Sequence, residues 1–160
     1  MISIITPVYN EEENINCFYD AVTAVMKQLG MDYELIYVND GSRDGTEKEI
    51  SRLAAADPHV RAVSLARNFG HQIALTCGMD LSSGDAIITL DGDMQHPPAL
   101  IPALIARWQE GYDIVQTVRE TTENASLFKR VTSAAYYKLM NAISATPVVP
   151  GGSDFRLMDR

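Results

Sequence analysis

Short apolar, β-branched runs alternate along this chain with stretches whose apolar residues recur at helical spacing, and that alternation constrains the fold more than any other feature. Ile2–Thr6, Tyr33–Asn39, Val60–Leu65, Ala86–Leu90 and Asp113–Thr117 have the length and near-continuous hydrophobicity of strands buried on both faces. Between the first two, Ile15, Phe18, Tyr19, Val22, Val25, Met26 and Leu29 follow the spacing of an amphipathic helix, with Gly30 as its stop. Thr46 and Glu49 are spaced as a capping box ahead of Ile50, Leu53 and Ala54, and Pro58 follows that helix. Leu100, Ile101, Leu104, Ile105 and Trp108 form a third stripe between Pro97-Pro98 and Gly111, while His71–Leu81 and Ser126–Ile143 are weaker helical segments. Strand, helix, strand repeated in this way requires right-handed crossovers, hence a mostly parallel sheet covered by helices on both faces: an open, Rossmann-like α/β/α sandwich.

Composition narrows the partners. The length of 160 residues fits one domain, and a net charge of −8 argues against a nucleic-acid partner, whose phosphates need clustered Lys and Arg. An anionic ligand would need a local basic patch or a metal ion. Cys17 and Cys77 lie far apart with no Cys-x-x-Cys, so they read as reduced thiols of a cytosolic protein. The longest near-apolar stretch, Pro97–Ala106, carries three prolines and falls short of the roughly 18 residues of a membrane span. Met1 runs directly into Ile2-Ser3-Ile4-Ile5 without a basic segment, so no signal peptide is expected. At the other end, Pro147–Asp154 leads into Phe155–Arg160 with no evident closing element, which reads as a domain cut short.

In a parallel sheet, ligands bind outside the carboxyl ends of the strands. Here those ends lead into Pro7-Val8-Tyr9-Asn10-Glu11, Asn39-Asp40-Gly41-Ser42, Ala66-Arg67-Asn68-Phe69-Gly70-His71, Asp91-Gly92-Asp93-Met94-Gln95-His96 and Val118-Arg119. Asp91 and Asp93 straddle a glycine, a pattern that either holds a hard divalent cation or forms a turn of solvated acids. Position favours the cation, since two acids so close repel unless something positive lies between them. Gln95 and His96 add potential ligands, although His96 before two prolines could equally shape the turn. Asp40 fits either a base or ribose contact or an ordinary Asn-Asp-Gly-Ser turn. Arg67 and His71 flank the start of a helix, a natural anion site, with a solvated Arg and a capping Asn68 as the alternative. Arg119, Lys129 and Arg130 could meet a phosphate; a solvated helix face would also account for the last two. Motifs of P-loop NTPases, dinucleotide oxidoreductases, α/β-hydrolases and zincins are absent.

Taken in order, Thr6–Glu11, Asn39–Ser42, Arg67–His71, Asp91–Pro98 and Ser153-Asp154-Phe155-Arg156 resemble glycosyltransferase family 2, and within it the polyprenyl-phosphate glycosyltransferases related to dolichol-phosphate mannose synthase. The resemblance covers essentially the whole chain and implies a single GT-A catalytic domain over residues 1–160. It implies an inverting, metal-dependent transfer of a sugar from a nucleotide-diphosphate donor to a membrane-embedded polyprenyl phosphate. Likeness to prophage-type, O-antigen-modifying members points to glucose and UDP, and hence to cell-wall or lipopolysaccharide modification. Pro7, Tyr9, Asn10, Glu11, Asp40 and Ser42 would then contact the donor nucleoside, and Arg67, Asn68 and His71 would wall the donor site. Asp91, Asp93 and Gln95 would hold Mg²⁺ or Mn²⁺ on the diphosphate, with Asp93 catalytic. Arg119, with Lys129 and Arg130, would face the lipid phosphate, and Asp154 would lie near the transferred sugar or acceptor. Family members of this type continue beyond the region seen here, so membrane docking at the cytoplasmic face is expected through a further C-terminal part, with homo-oligomerisation left open. The alternatives are a family 2 transferase with a saccharide acceptor, a non-catalytic nucleotide-binding domain, or an Asp-x-Asp phosphatase. The last is disfavoured because the acids follow the fourth strand and Gln95 stands where such enzymes carry Thr.

Overall fold

A computed structural model describes residues 1–118 and 152–160. The chain forms two compact units, Met1–Val115 with Asp154–Arg160, and Gln116–Ser153. Within the second, Gln116 Nε2 donates to the Ser153 carbonyl at 3.3 Å. The helical segment expected at Ser126–Ile143, and Arg119, Lys129 and Arg130, lie outside the described residues.

Six strands, β1 (Ile2–Val8), β2 (Tyr33–Asn39), β3 (Val60–Ser64), β4 (Ala86–Thr89), β5 (Ile114–Val118) and β6 (Gly152–Asp159), form one sheet in the order β3-β2-β1-β4-β6-β5. β1, β2, β3 and β4 run parallel, with Ile2 opposite Tyr33 and Ala86. β1 and β2 are buried along their whole length, as their near-continuous apolar runs predict, whereas β3 and β5 alternate or open to solvent. Between β1 and β4 the direction of strand order reverses, which opens a crevice at their carboxyl ends.

The segment after Pro150, for which the sequence predicts no element, forms β6. It inserts antiparallel beside β4, pairing Thr89 with Arg156 and Ala86 with Asp159. Phe155 and Leu157 point into the main core, while Asp154 and Arg156 stay half-exposed, the period-2 alternation of a strand.

Helices α1 (Ile15–Leu29), α2 (Thr46–Ala56) and α4 (Ile101–Gln109) contribute to one core, in which Phe18, Val22, Met26, Ile50, Leu53 and Leu104 pack with Ile2, Ile4, Tyr37 and Phe155. Burying each large apolar side chain there is worth roughly 1.5–3 kcal/mol. Helix α3 (His71–Leu81) covers a second cluster of Ile5, Ile36, Val38 and Ile87 through Ala74 and Leu75. Gly30 closes α1 in the left-handed conformation, as its position predicts. The capping box at Thr46 and Glu49 does not form. Gly45 is the N-cap, and Asp44 Oδ1 instead accepts from the Thr46 amide at 3.1 Å and hydroxyl at 2.6 Å. That leaves Thr46 Oγ1 to accept from the Glu11 amide at 2.9 Å, tying the loop after β1 to α2.

The amino end of the sheet is sealed by a polar network. Glu34, only 8% exposed, accepts from Ser3 Oγ at 2.6 Å, the Ser83 amide at 2.6 Å and Arg61 Nη1 at 2.8 Å. Arg61 also donates to the Leu81 carbonyl at 2.7 Å, and the Met1 ammonium meets Asp85 at 2.6 Å. Burial alone would raise the Glu34 carboxyl, but the hydrogen bonds from Ser3, Arg61 and Ser83 outweigh it and hold the group below its usual range.

Candidate active site

Four elements converge on the crevice at the carboxyl ends of β1 and β4. β1 runs out into Pro7, Tyr9 and Glu11, β4 into Asp91, Gly92 and Asp93, α3 begins with His71, and β6 presents Asp154; together they line a cleft of about 370 Å³. His71 Nε2 stands 3.6 Å from Asp91 Oδ1 and 3.6 Å from Asp154 Oδ2, so one imidazole faces two carboxylates donated by different strands. Burial pushes the Asp91 carboxyl above its usual range, and the charges of Asp93 and Asp154 push the same way against His71 and His96. Three carboxylates are therefore crowded around His71, and burial of Asp91 outweighs the pull of the nearby histidines.

Backbone geometry holds the acids in place. Met94, a non-glycine residue, sits in the left-handed region at φ 61°, and Gln95 donates its amide to Asp93 Oδ1 at 3.0 Å. A backbone of that kind costs about 1–3 kcal/mol and clusters at ligand sites. The Met94 side chain packs on the main core and His96 is buried with its ring edge-on to Phe155 at 6.0 Å, which fixes the turn on both sides of Gln95. Asp154 is oriented by Arg156 Nη2 at 2.8 Å, and the Thr89 hydroxyl donates to its carbonyl.

A smaller cavity of about 200 Å³ opens beside the cleft, sharing Pro7, Tyr9 and His71 and adding Val8, Asp40 and Asn68. Its walls are two loops pressed backbone to backbone. A Cβ on Gly41 would overlap the backbone of Arg67 and Asn68, and Gly41 itself lies at φ 68°, so only glycine fits. Asp40, 3% exposed, accepts from the Phe69 amide at 2.7 Å and the Gly70 amide at 2.9 Å.

The structure thus gathers Pro7, Tyr9, Glu11, His71, Asp91, Asp93 and Asp154 around the cleft, and Asp40 and Asn68 around the adjoining cavity. Asn10 and Ser42 line neither. They tie the first two loops together, with the Asn10 amide donating to Ser42 Oγ at 2.9 Å and the Arg43 amide to Asn10 Oδ1 at 2.8 Å. Arg67 stacks over the exposed Phe69 ring, 4.8 Å from its centroid, and also lines neither cavity. Gln95 is exposed and outside the cleft lining, because the left-handed turn at Met94 separates it from Asp91 and Asp93. Sequence reasoning singled out neither Arg156 nor the pairing of His71 with Asp154. Alternation of Asp154, Phe155, Arg156 and Leu157 was the available signal for the first.

Among the described residues, no three His, Cys, Asp or Glu side chains form an all-protein metal cage. Asp91 and Asp93 nonetheless fit a hard divalent cation of the Mg²⁺ or Mn²⁺ kind, which is commonly held by one or two carboxylates with its other positions left to substrate phosphates and water. The crowded carboxylates supply the charge for it.

The sequence model of glycosyl transferase family 2 matches residues 3–160. This chain belongs to that family. The bactoprenol glucosyl transferase of Shigella phage SfV is 43% identical over 159 residues, covering 99% of this chain and 52% of the phage protein. A prophage bactoprenol glucosyl transferase homolog of Escherichia coli (strain K12) is likewise 43% identical, over 99% of this chain and 52% of its own. The chain spans about half the length of these curated relatives. Among solved structures, glucosyl-3-phosphoglycerate synthase from Mycobacterium tuberculosis, in complex with Mn²⁺, UDP and phosphoglyceric acid, superposes with a TM-score of 0.65 at 24% identity, covering 99% of this chain and 55% of that one. The mannosyltransferase PcManGT from Pyrobaculum calidifontis, in complex with GDP-Man and Mn²⁺, gives 0.63 at 22% identity, covering 99% and 44%. The fold is the GT-A fold of glycosyltransferases.

Proposed function

We propose that this domain moves a sugar from a nucleoside-diphosphate donor to a polyprenyl phosphate with inversion at the anomeric carbon, using a divalent cation held by Asp91 and Asp93. The observation that carries the reading is the convergence of Asp91, Asp93 and Asp154 on one cleft with His71 between two of them. The names of the 43%-identical relatives support glucose and a prenyl-phosphate acceptor. UDP as the donor nucleotide is our choice within that reading.

In this reading the nucleoside lies in the smaller cavity, against Pro7, Tyr9 and Asn68, and the diphosphate extends toward Asp91 and Asp93. A bound divalent cation supplies Lewis-acid stabilisation of the charge that gathers on the leaving diphosphate. A phosphate monoester has a second pKa near ~6, so the lipid phosphate is a competent nucleophile at neutral pH and needs no general base. Asp154, held by Arg156, therefore orients sugar or acceptor rather than removing a proton. Arg119, Lys129 and Arg130 are assigned to the lipid phosphate, for which guanidinium provides a bidentate match. The reaction takes place at the cytoplasmic face of the cell membrane, where a water-soluble donor and a lipid phosphate meet.

The test is transfer from labelled UDP-glucose or GDP-mannose to polyprenyl phosphate in vesicles, with Mg²⁺ or Mn²⁺. A labelled lipid product from UDP-glucose is expected. Transfer to a saccharide with none to the lipid would make this a family 2 enzyme of another acceptor class, and no consumption of either donor would contradict the reading.

A further inference from the structure

The geometry points to Asp40 as a positioning residue: we propose that it sets His71 in the cleft by gripping the backbone of the loop that leads into α3. Asp40 is anchored first, its amide donating to the Val8 carbonyl at 2.9 Å where β1 ends. Both carboxylate oxygens are then spent on one ligand, the backbone, through the amides of Phe69 and Gly70. Immediately after these amides comes the start of the helix. The Gly70 carbonyl accepts from Ile73 at 3.1 Å and Ala74 at 3.2 Å, and Gly70 itself is at φ 97°, a bend that carries the chain into α3.

His71 is the first residue after that bend, so its reach to Asp91 and Asp154 depends on where the bend is pinned. Gly41 enforces the same placement sterically, since any Cβ there would displace Arg67 and Asn68. A carboxylate fits two converging N–H donors and a carboxamide does not, because one of its two heads is itself a donor. The same side chain borders the smaller cavity, so a direct donor contact is the competing role and the experiment must separate the two.

The turnover arm rests on the transferase reading; the exchange arm does not. Asp40→Asn, His71→Ala and the double variant would be compared for kcat with UDP-glucose and for the Kd of UDP. Displacement of His71 predicts a kcat for Asp40→Asn lower by about 10- to 100-fold with the Kd of UDP within about threefold, since small misplacements cost rate more than affinity. In the His71→Ala background the same change should cost less than about threefold, the non-additivity of two residues acting as one unit. A Kd raised tenfold or more with kcat retained, or fully additive losses in kcat, would overturn the proposal.

Hydrogen exchange on the wild-type chain needs neither turnover nor a folded variant. The Phe69 and Gly70 amides should exchange far more slowly than an open loop allows, and free exchange at both would overturn the assignment. Absence of any turnover by wild type would count against the transferase reading, while the exchange result would still decide whether Asp40 holds the loop.

Discussion

The two ends of the sheet handle charge in opposite ways. At the amino end, Glu34 is buried and fully engaged by Ser3, Arg61 and Ser83, and Arg61 has a second partner in the Leu81 carbonyl. At the carboxyl end, Glu11, Asp91, Asp93 and Asp154 border one cleft, where among the described residues His71 faces Asp91 and Asp154 and Arg156 pairs only with Asp154, and burial leaves Asp91 harder to ionise. Removing one partner from a buried charge pair is costly, and a half-buried carboxylate with few partners costs stability unless a ligand completes it. The contrast supports the proposed placement of cation and donor at the carboxyl end.

Substitutions that cross this divide should separate cleanly. The largest effect is expected from Asp93→Asn, which should lower turnover by about 10²–10³-fold, the usual cost of removing one electrostatic contributor to a transition state, with the thermal midpoint almost unchanged. Steady-state rates beside a melting curve check it. Glu34→Gln should do the reverse. It breaks a buried ionic network and should cost about 1–3 kcal/mol, read by urea unfolding, while UDP affinity stays the same.

The Glu34 network also has a pH signature. Its folded pKa is depressed, so its stabilisation is fully present above the usual glutamate value of 4.5 and is lost as pH falls through the folded value. Urea midpoints of wild type should therefore drop more steeply below that pH than those of Glu34→Gln. Parallel pH profiles for the two proteins would remove the network from the account. The smallest effect is expected from Asp91→Asn in the ligand-free protein. Relief of the cost of burying the Asp91 charge should raise the melting temperature by about 1–2 °C even as function is lost. A clear fall in melting temperature would mean that the contact with His71 outweighs the cost of burying Asp91.

Much of this arrangement is legible in the residues, and the exceptions share a cause. β1, β2 and β4 are visible because strands buried on both faces are nearly continuous in apolar residues, and α1 because one face alone is buried. The rim acids are visible because their position after β4 needs only the strand ends. β6 escapes because Asp154 and Arg156 alternate with Phe155 and Leu157, so no continuous apolar run marks it, and because its partner β4 lies about 65 residues upstream, as the bond from Thr89 to Asp154 records. The capping box at Thr46 fails because Asp44 competes for the same amide, a local choice made by a tertiary contact with Glu11. Likewise nothing in Asn39-Asp40-Gly41-Ser42 reveals that both Asp40 oxygens belong to a loop 29 and 30 residues away. Where the local sequence decides, the reading succeeds. Where two distant loops decide together, coordinates are needed.

The central claim is that the crowded carboxylates at the carboxyl end exist to hold a cation against a nucleoside diphosphate. Calorimetric titration of UDP and GDP into the protein, with and without Mn²⁺, beside the Asp91→Asn, Asp93→Asn double variant, tests it most directly. The account predicts binding of UDP that requires Mn²⁺ and disappears in a variant that remains folded. Binding of UDP that is indifferent to the metal and survives in the variant, or no nucleotide binding by the folded wild type, would contradict it.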